Sequence, residues 1–187
     1  MSSILIAYGT GEGQTAKVAD HLARRLEGRG HAVDVVDVAG VREGLDLTPY
    51  DGVLVGASVH LGKHQERVKR FVRDHVEALA SRPAAFFQVC LSSAVDDEER
   101  RAEAEGYLAE FTADTGWEPA RRASFGGALR YSAYGFLKRG MMRRIAREAT
   151  GDVDTARDYE YTDWTAVEAF ADEVAGFVEA AAPEAAA

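Results

Sequence analysis

Between residues 9 and 15 the chain reads Gly9-Thr10-Gly11-Glu12-Gly13-Gln14-Thr15, a run of small residues and hydroxyls suited to enclosing a phosphate. Glycine lets the backbone approach an anion closely, and the first amides of a helix have no partner inside it. The same residues would also serve as a plain turn capped by Thr15. A Walker A loop is excluded, because Gly13 is followed by Gln14 and the loop holds no lysine. The dinucleotide pattern G-x-G-x-x-G is half met: Gly9 and Gly11 supply its start, and Gln14 stands where the third glycine belongs. Asp37 lies where such a fold keeps the acid that holds a ribose, so NAD stays open on these residues alone. Glu12 is a poor neighbour for a dianion, and its carboxylate is expected to face away.

A second group of polar residues follows in Gly56-Ala57-Ser58-Val59-His60-Leu61-Gly62-Lys63-His64. Imidazole titrates near neutral pH, so His60 or His64 would suit a proton acceptor. His64 reads better as the start of the next helix, and His21, His31 and His75 read as solvent-facing. Cys90 is the only cysteine, which excludes an intrachain disulfide and Cys₄ or Cys₂His₂ zinc sites. It reads as a small buried residue. Asp96, Asp97, Glu98 and Glu99 resemble an acidic helix start, and no metal site is expected.

These residues must be positioned by alternating short apolar runs and longer amphipathic ones. Strands are predicted at Ser3–Tyr8, Ala32–Val38, Gly52–Ala57, Ala84–Leu91 and Arg122–Leu129. Between and after them, 3.6-residue periodicity predicts helices at Thr15–Arg29, Gln65–Ala80, Glu98–Thr112 and Trp164–Ala180. Tyr107, Leu108 and Phe111 are expected to pack inward, and Trp117 and Trp164 to anchor packing. Five strands separated by helices predict an α/β doubly wound parallel sheet with helices on both faces. Ligands bind such sheets at the carboxyl ends of the strands, where the Gly-rich turn falls. One domain over residues 1–180 is expected, with an Ala-rich tail, 181–187, that frays.

Residues 130–161 are too long for an ordinary connection and read as a functional insert before the last helix. From Arg130 to Ala149, Arg130, Lys138, Arg139, Arg143, Arg144 and Arg147 stand against Glu148 alone, a local +5 in a chain of net charge -9, which leaves -14 elsewhere. An acidic balance argues against nucleic acid as a partner. On a helical wheel Tyr134, Leu137, Met141 and Ile145 share one side, and Arg139, Arg143 and Arg147 line the other. Such a helix suits an anionic membrane surface, the carboxylates of a small ligand or an acidic protein, and equally an ordinary helix resting on the sheet. No stretch approaches the ~20 apolar residues of a membrane span, and the start lacks a signal peptide's basic region. A cytoplasmic chain, peripheral at the inner face of the cell membrane through its insert, is expected.

Tyr8–Thr15 resembles the flavodoxin phosphate signature, a hydroxyl followed by x-x-Gly-x-Thr after the first strand. Gly56-Ala57-Ser58 resembles the second flavin loop of that family. With Gly126-Gly127-Ala128-Leu129-Arg130-Tyr131 and Tyr161-Thr162-Asp163-Trp164, the chain is similar from about Ile4 to Phe177 to the menaquinone-dependent protoporphyrinogen oxidases, flavodoxin-like FMN proteins of haem synthesis. The resemblance implies FMN as cofactor, protoporphyrinogen IX as electron donor and a quinone as acceptor. It implies that Thr10, Gly11, Glu12, Gly13, Gln14 and Thr15 surround the phosphate, and that Ser58, Val59, His60, Leu91 and Ser92 border the flavin. His60, Arg130 and Tyr131 would face the substrate. Loop two carries Val59, His60 and Leu61 where the family commonly has an aromatic, and Leu91–Asp97 has none, so stacking would fall to His60, to Tyr131 or to no aromatic. A one-electron carrier flavodoxin, or a flavin-binding scaffold without an organic substrate, is the alternative.

Overall fold

A computed structural model describes residues 1–41 and 44–181. The first strand, β1 (Ser3–Gly9), buries Ile4, Leu5, Ile6 and Ala7 completely, as a continuous apolar run covered on both faces must. It is followed by α1 (Gln14–Gly28), β2 (Ala32–Asp37) and β3 (Gly52–His60). A two-residue strand β4 (Lys63–His64), α2 (Glu66–Asp74), α3 (Val76–Ala80) and β5 (Ala84–Cys90) come next. A 3-10 turn over Leu91–Ala94, α4 (Glu98–Thr115), β6 (Arg121–Gly126), β7 (Ala128–Leu129), α5 (Phe136–Ala149), β8 (Tyr159–Glu160) and α6 (Trp164–Ala181) complete the order. Of the expected frayed tail, residues 182–187 lie outside the described residues.

The main sheet runs β2-β1-β3-β5-β6 with every neighbour parallel. This is the expected doubly wound α/β architecture, with helices on both faces. Helices α1 and α6 cover one face, packing Val18, Leu22, Phe170 and Val174 over Ile6, Leu54 and Phe87. Helices α2, α3 and α4 cover the other, with Val68, Phe71, Leu79 and Phe111 over Leu5, Val55 and Phe86. Chain direction across the sheet reverses at β1 and β3, and their pairing sets Gly9 beside Ala57. At such a switch point the two following loops part and leave a crevice.

Three expectations change here. The helix expected over Gln65–Ala80 breaks at His75, whose ring nitrogens meet the carbonyls of Phe71 (2.8 Å) and Leu45 (3.0 Å) rather than solvent. Strand β3 runs on to His60 and turns back through Leu61 (φ 50°) and Gly62 (φ 76°) into β4, a two-residue hairpin with both central residues at positive φ. His64 therefore sits in a strand and is buried, instead of opening a helix. Finally, the strand expected to reach Leu129 splits at Gly127. A Cβ on Gly126 would stand 2.3 Å from the Tyr161 carbonyl, so only glycine lets β6 end there. The chain then leaves the sheet as β7, which pairs antiparallel with β8. The insert has a small core of its own, Leu129, Tyr131, Tyr134, Met142 and Ala146, joined to the main body through Leu91.

Candidate functional site

The turn after β1 is shaped by Gly13, which takes φ +90° immediately before α1 and donates its amide to Thr10 Oγ1 (2.8 Å). Accepting that bond leaves the Thr10 hydroxyl proton free to donate elsewhere. The Arg67 guanidinium on α2 donates to the Thr10 carbonyl and pins the turn from outside. A Cβ on Gly9 would come within 2.4 Å of Val68 and 2.7 Å of the Gln65 side chain, so the turn lies tight against α2. Thr15 Oγ1 and Ser58 Oγ are buried and have no protein partner, as has Gln14 Oε1, whose own amide donates to Thr162 Oγ1 (2.9 Å). Buried polar atoms in native proteins are nearly all bonded, so this group of orphans beside a helix N-terminus marks a place for an anion or other acceptor and donor.

These groups line one lobe of an open cleft that continues past Val59, His60, Cys90 and Leu91. Gly127 and Ala128 close its far side, and Met142 of α5 hangs over it. A second lobe opens beyond the same residues, bounded by Leu61, Ser92, Arg100, Glu103, Tyr107 and Ile145. Met142 borders both lobes, so the insert helix forms their common lid.

Glu12 explains how that lid is held. Its carboxylate accepts from the buried Tyr134 hydroxyl and lies 2.8 Å from Lys138 Nζ, so the phosphate turn and the insert are clasped together. Burial, with the bond to Glu12, raises the Tyr134 phenol well above its ordinary range. Under the floor of the cleft, His64 donates Nε2–H to Gln88 Oε1 (2.9 Å), and Gln88 Nε2 donates to the Ala104 carbonyl and Ser124 Oγ. Burial pushes the His64 pKa down to about 4, which keeps this imidazole neutral. Cys90 is buried beside Ser93 and Ser124 at the same floor.

The expected residues divide. Thr10, Gly11, Glu12, Gln14, Thr15, Ser58, Val59, His60 and Leu91 all border the first lobe, Gly13 shapes the turn beneath it, and Ser92 borders the second. Tyr131 does not reach the cleft: its ring is completely buried in the insert core, and its hydroxyl donates to the Asp152 carbonyl (3.0 Å). A residue so enclosed can neither face a substrate nor stack on a ring in the cleft. Arg130 is half-buried and lies outside both linings; its backbone amide donates to Tyr134 Oη (3.2 Å).

The helical wheel of the insert is also redrawn. Tyr134, Met142, Ile145 and Ala146 face inward, while Leu137 is 86% exposed and Met141 43%. Arg139 turns back to donate to the Tyr134 carbonyl (3.3 Å), so only Arg143 and Arg147 of the expected basic face stand exposed, joined by Arg144.

Sequence reasoning missed Glu103 and Tyr107. Tyr107 was expected to pack inward with Leu108, but it leans over the hairpin tip, 3.7 Å from where a Gly62 Cβ would stand. The i, i+4 spacing of Glu103 and Tyr107, in line with the buried Phe111 on α4, was the available signal. No cluster of three His, Cys, Asp or Glu side chains among the described residues is arranged to hold a metal ion.

The family model described as a flavodoxin domain matches residues 5–156. The protoporphyrinogen IX dehydrogenase (quinone) of Escherichia coli strain K12 is 36% identical over 171 residues, covering 91% of this chain and 93% of the relative. The Leishmania major protein of the same name is 32% identical over 180 residues, covering 96% and 77%. Among solved structures, a flavodoxin from the domain Archaea aligns with a TM-score of 0.54 at 16% identity, covering 95% of this chain and 99% of the other, which speaks to fold alone. The chain belongs to the flavodoxin family, a family that implies a flavin cofactor, and within it to the protoporphyrinogen IX dehydrogenases (quinone).

Proposed function

We propose that the cleft binds FMN and that the chain oxidises protoporphyrinogen IX, with a quinone as the final acceptor. The observation that carries the FMN reading is the pair of buried, unpartnered hydroxyls, Thr15 Oγ1 and Ser58 Oγ, facing one lobe beside the α1 N-terminus. A phosphate there would satisfy Thr15, the Thr10 hydroxyl and the amides of Gly11, Glu12, Gln14 and Thr15 together. Riboflavin would leave them unmet. Ser58, Val59, His60 and Leu91 would border the ring, and the flavin would supply acceptance of hydride equivalents and their return to a quinone. Residues 1–180 would act as one flavin-binding unit.

The protein's own part is orientation and exclusion. Met142 and Ile145 cover the cleft with apolar surface and keep water from its second lobe. Tyr134 and Lys138 hold the Glu12 carboxylate, which lessens its repulsion of a nearby phosphate. His60, at the exposed end of β3, is the imidazole best placed to take a substrate proton, since His64 is buried and fully engaged.

The quinone reading fits the outer side of the insert. Phe136 is 92% exposed and sits beside Leu137, with the cationic Arg143, Arg144 and Arg147 on the same helix. An apolar tip among cations suits an anionic membrane surface, where quinones reside. No helix among the described residues is long and apolar enough to cross a membrane.

The test is anaerobic incubation of the FMN-loaded protein with protoporphyrinogen IX and menadione. Porphyrin fluorescence is expected to rise far above a protein-free control. Equal rates with and without the protein would end the oxidase reading.

A further inference from the structure

The second lobe holds a feature that a flavin alone does not need. Glu103 projects from α4 into it, 38% of its side chain exposed. Three donors fix this carboxylate: Tyr107 Oη on Oε1 (2.7 Å), and Ser92 Oγ (2.8 Å) and Arg100 Nη1 (3.0 Å) on Oε2. Two carboxylate oxygens offer about four acceptor positions, so one remains on Oε1, within the lobe. Burial works against the charged form, but the Tyr107, Ser92 and Arg100 donors outweigh it and the pKa falls below the usual range. The group is an oriented, ionised acceptor with one place unfilled. Around it, Leu91, Met142 and Ile145 offer apolar surface to a flat or puckered ring.

Resting on the function proposed above, we infer that Glu103 reads the pyrrole N–H groups of the porphyrinogen and seats that substrate in the second lobe. The chemistry of the ligand favours this. In a porphyrinogen the pyrroles are joined by saturated carbons, so each ring tilts freely and its N–H can turn outward to one face. A fixed anion on that face receives them as charge-assisted hydrogen bonds. In the aromatic product the macrocycle is planar and its remaining N–H groups point inward, and a quinone has no N–H at all. One carboxylate thus separates the reduced macrocycle from both its product and the other substrate, through a donor that only the reduced macrocycle presents. Tyr107 and Ser92 are positioning residues in this scheme, since they hold Glu103 and need not touch the ligand.

The experiment uses the FMN-loaded protein after chemical reduction, so that added porphyrinogen binds without turnover. Anaerobic calorimetric titration with protoporphyrinogen IX is compared for wild type, Glu103→Gln and Tyr107→Phe, and reoxidation by menadione is timed for each. Glu103→Gln is expected to weaken porphyrinogen binding about tenfold or more, the loss of one charged hydrogen bond. Tyr107→Phe, which loosens Glu103 but leaves its carboxylate in place with a further acceptor position, is expected to weaken binding clearly less than Glu103→Gln. Menadione reoxidation should stay within about twofold in all three, since a quinone presents no N–H. The inference is overturned if Glu103→Gln binds like wild type, if Tyr107→Phe weakens binding as much, or if menadione reoxidation slows in parallel. Failure of the wild type itself to bind porphyrinogen would overturn this inference and the proposed oxidase function together. Porphyrinogen binding by the wild type that Glu103→Gln leaves undiminished removes only the role of Glu103 and leaves the proposed function standing.

Discussion

The two ends of the cleft are built in different ways. At the phosphate end the chemistry resides in one contiguous turn, Thr10–Thr15, where backbone amides and two threonine hydroxyls converge because β1 stops and α1 begins. At the substrate end the walls come from loop two, the turn after β5, α4 and α5, which are far apart in the chain and meet only through tertiary packing. The first is backbone-made and compact; the second is made of side chains and depends on a clasped insert. On the proposed function, binding of the cofactor and choice of the substrate are therefore separable properties.

The strongest way to break that contrast is to remove the phosphate from the ligand. FMN is expected to bind the apoprotein about a thousandfold more tightly than riboflavin, about 4 kcal/mol, as several charge-assisted hydrogen bonds imply. Fluorescence titration of the two flavins measures it, and near-equal affinities would place the binding energy at the ring.

Acid should loosen the ring side through His64. Its pKa is held down to about 4 by burial, against about 6.5 when unfolded, so stability is complete above the higher value and falls as pH drops toward the lower. A single such group accounts for about 3 kcal/mol over that window. Denaturant titrations between those pH values should show the slope in wild type, and His64→Gln should flatten it.

Met142→Ala tests the lid. Loss of a buried methionine from the insert core costs about 2 kcal/mol or more, and it should raise tryptic cleavage at Arg143 and Arg144. FMN affinity should change far less than porphyrinogen affinity, because the phosphate turn does not use this side chain.

The smallest expected effect is also the most diagnostic of the turn. Thr15→Ala should weaken FMN about tenfold while leaving the melting temperature of the apoprotein unchanged or raised, since the hydroxyl is buried without a partner. A fall in apoprotein stability would mean that Thr15 serves the fold rather than the ligand.

The same contrast governs how much could be read in advance. The alternation of apolar strands and amphipathic helices follows local periodicity, so the doubly wound sheet and the position of the phosphate turn were legible. Ser58 and His60, at the end of β3, and Leu91, directly after β5, were legible as residues at the carboxyl ends of strands, where a doubly wound sheet opens its crevice. Tyr131 was misjudged, since Gly-Ala-Leu-Arg-Tyr reads as a strand end, and nothing local shows that Gly127 sends the chain off the sheet into a second small core. The wheel of α5 failed for a related reason. Its inward side is set by where Tyr134 is clasped to Glu12, a contact 122 residues apart in sequence. Glu103 looked like an ordinary member of a charged helix and Tyr107 like a core residue, because the hairpin of loop two that Tyr107 leans over forms only in three dimensions.

The most direct test mixes FMN-loaded protein with protoporphyrinogen IX in the absence of oxygen and quinone. The visible flavin band is predicted to bleach, and menadione to restore it and let porphyrin fluorescence appear, because the six-electron oxidation to porphyrin needs repeated two-electron turns of the flavin. A band that stays unchanged, in protein whose flavin is readily reduced by dithionite, would contradict the assignment of this cleft to a porphyrinogen.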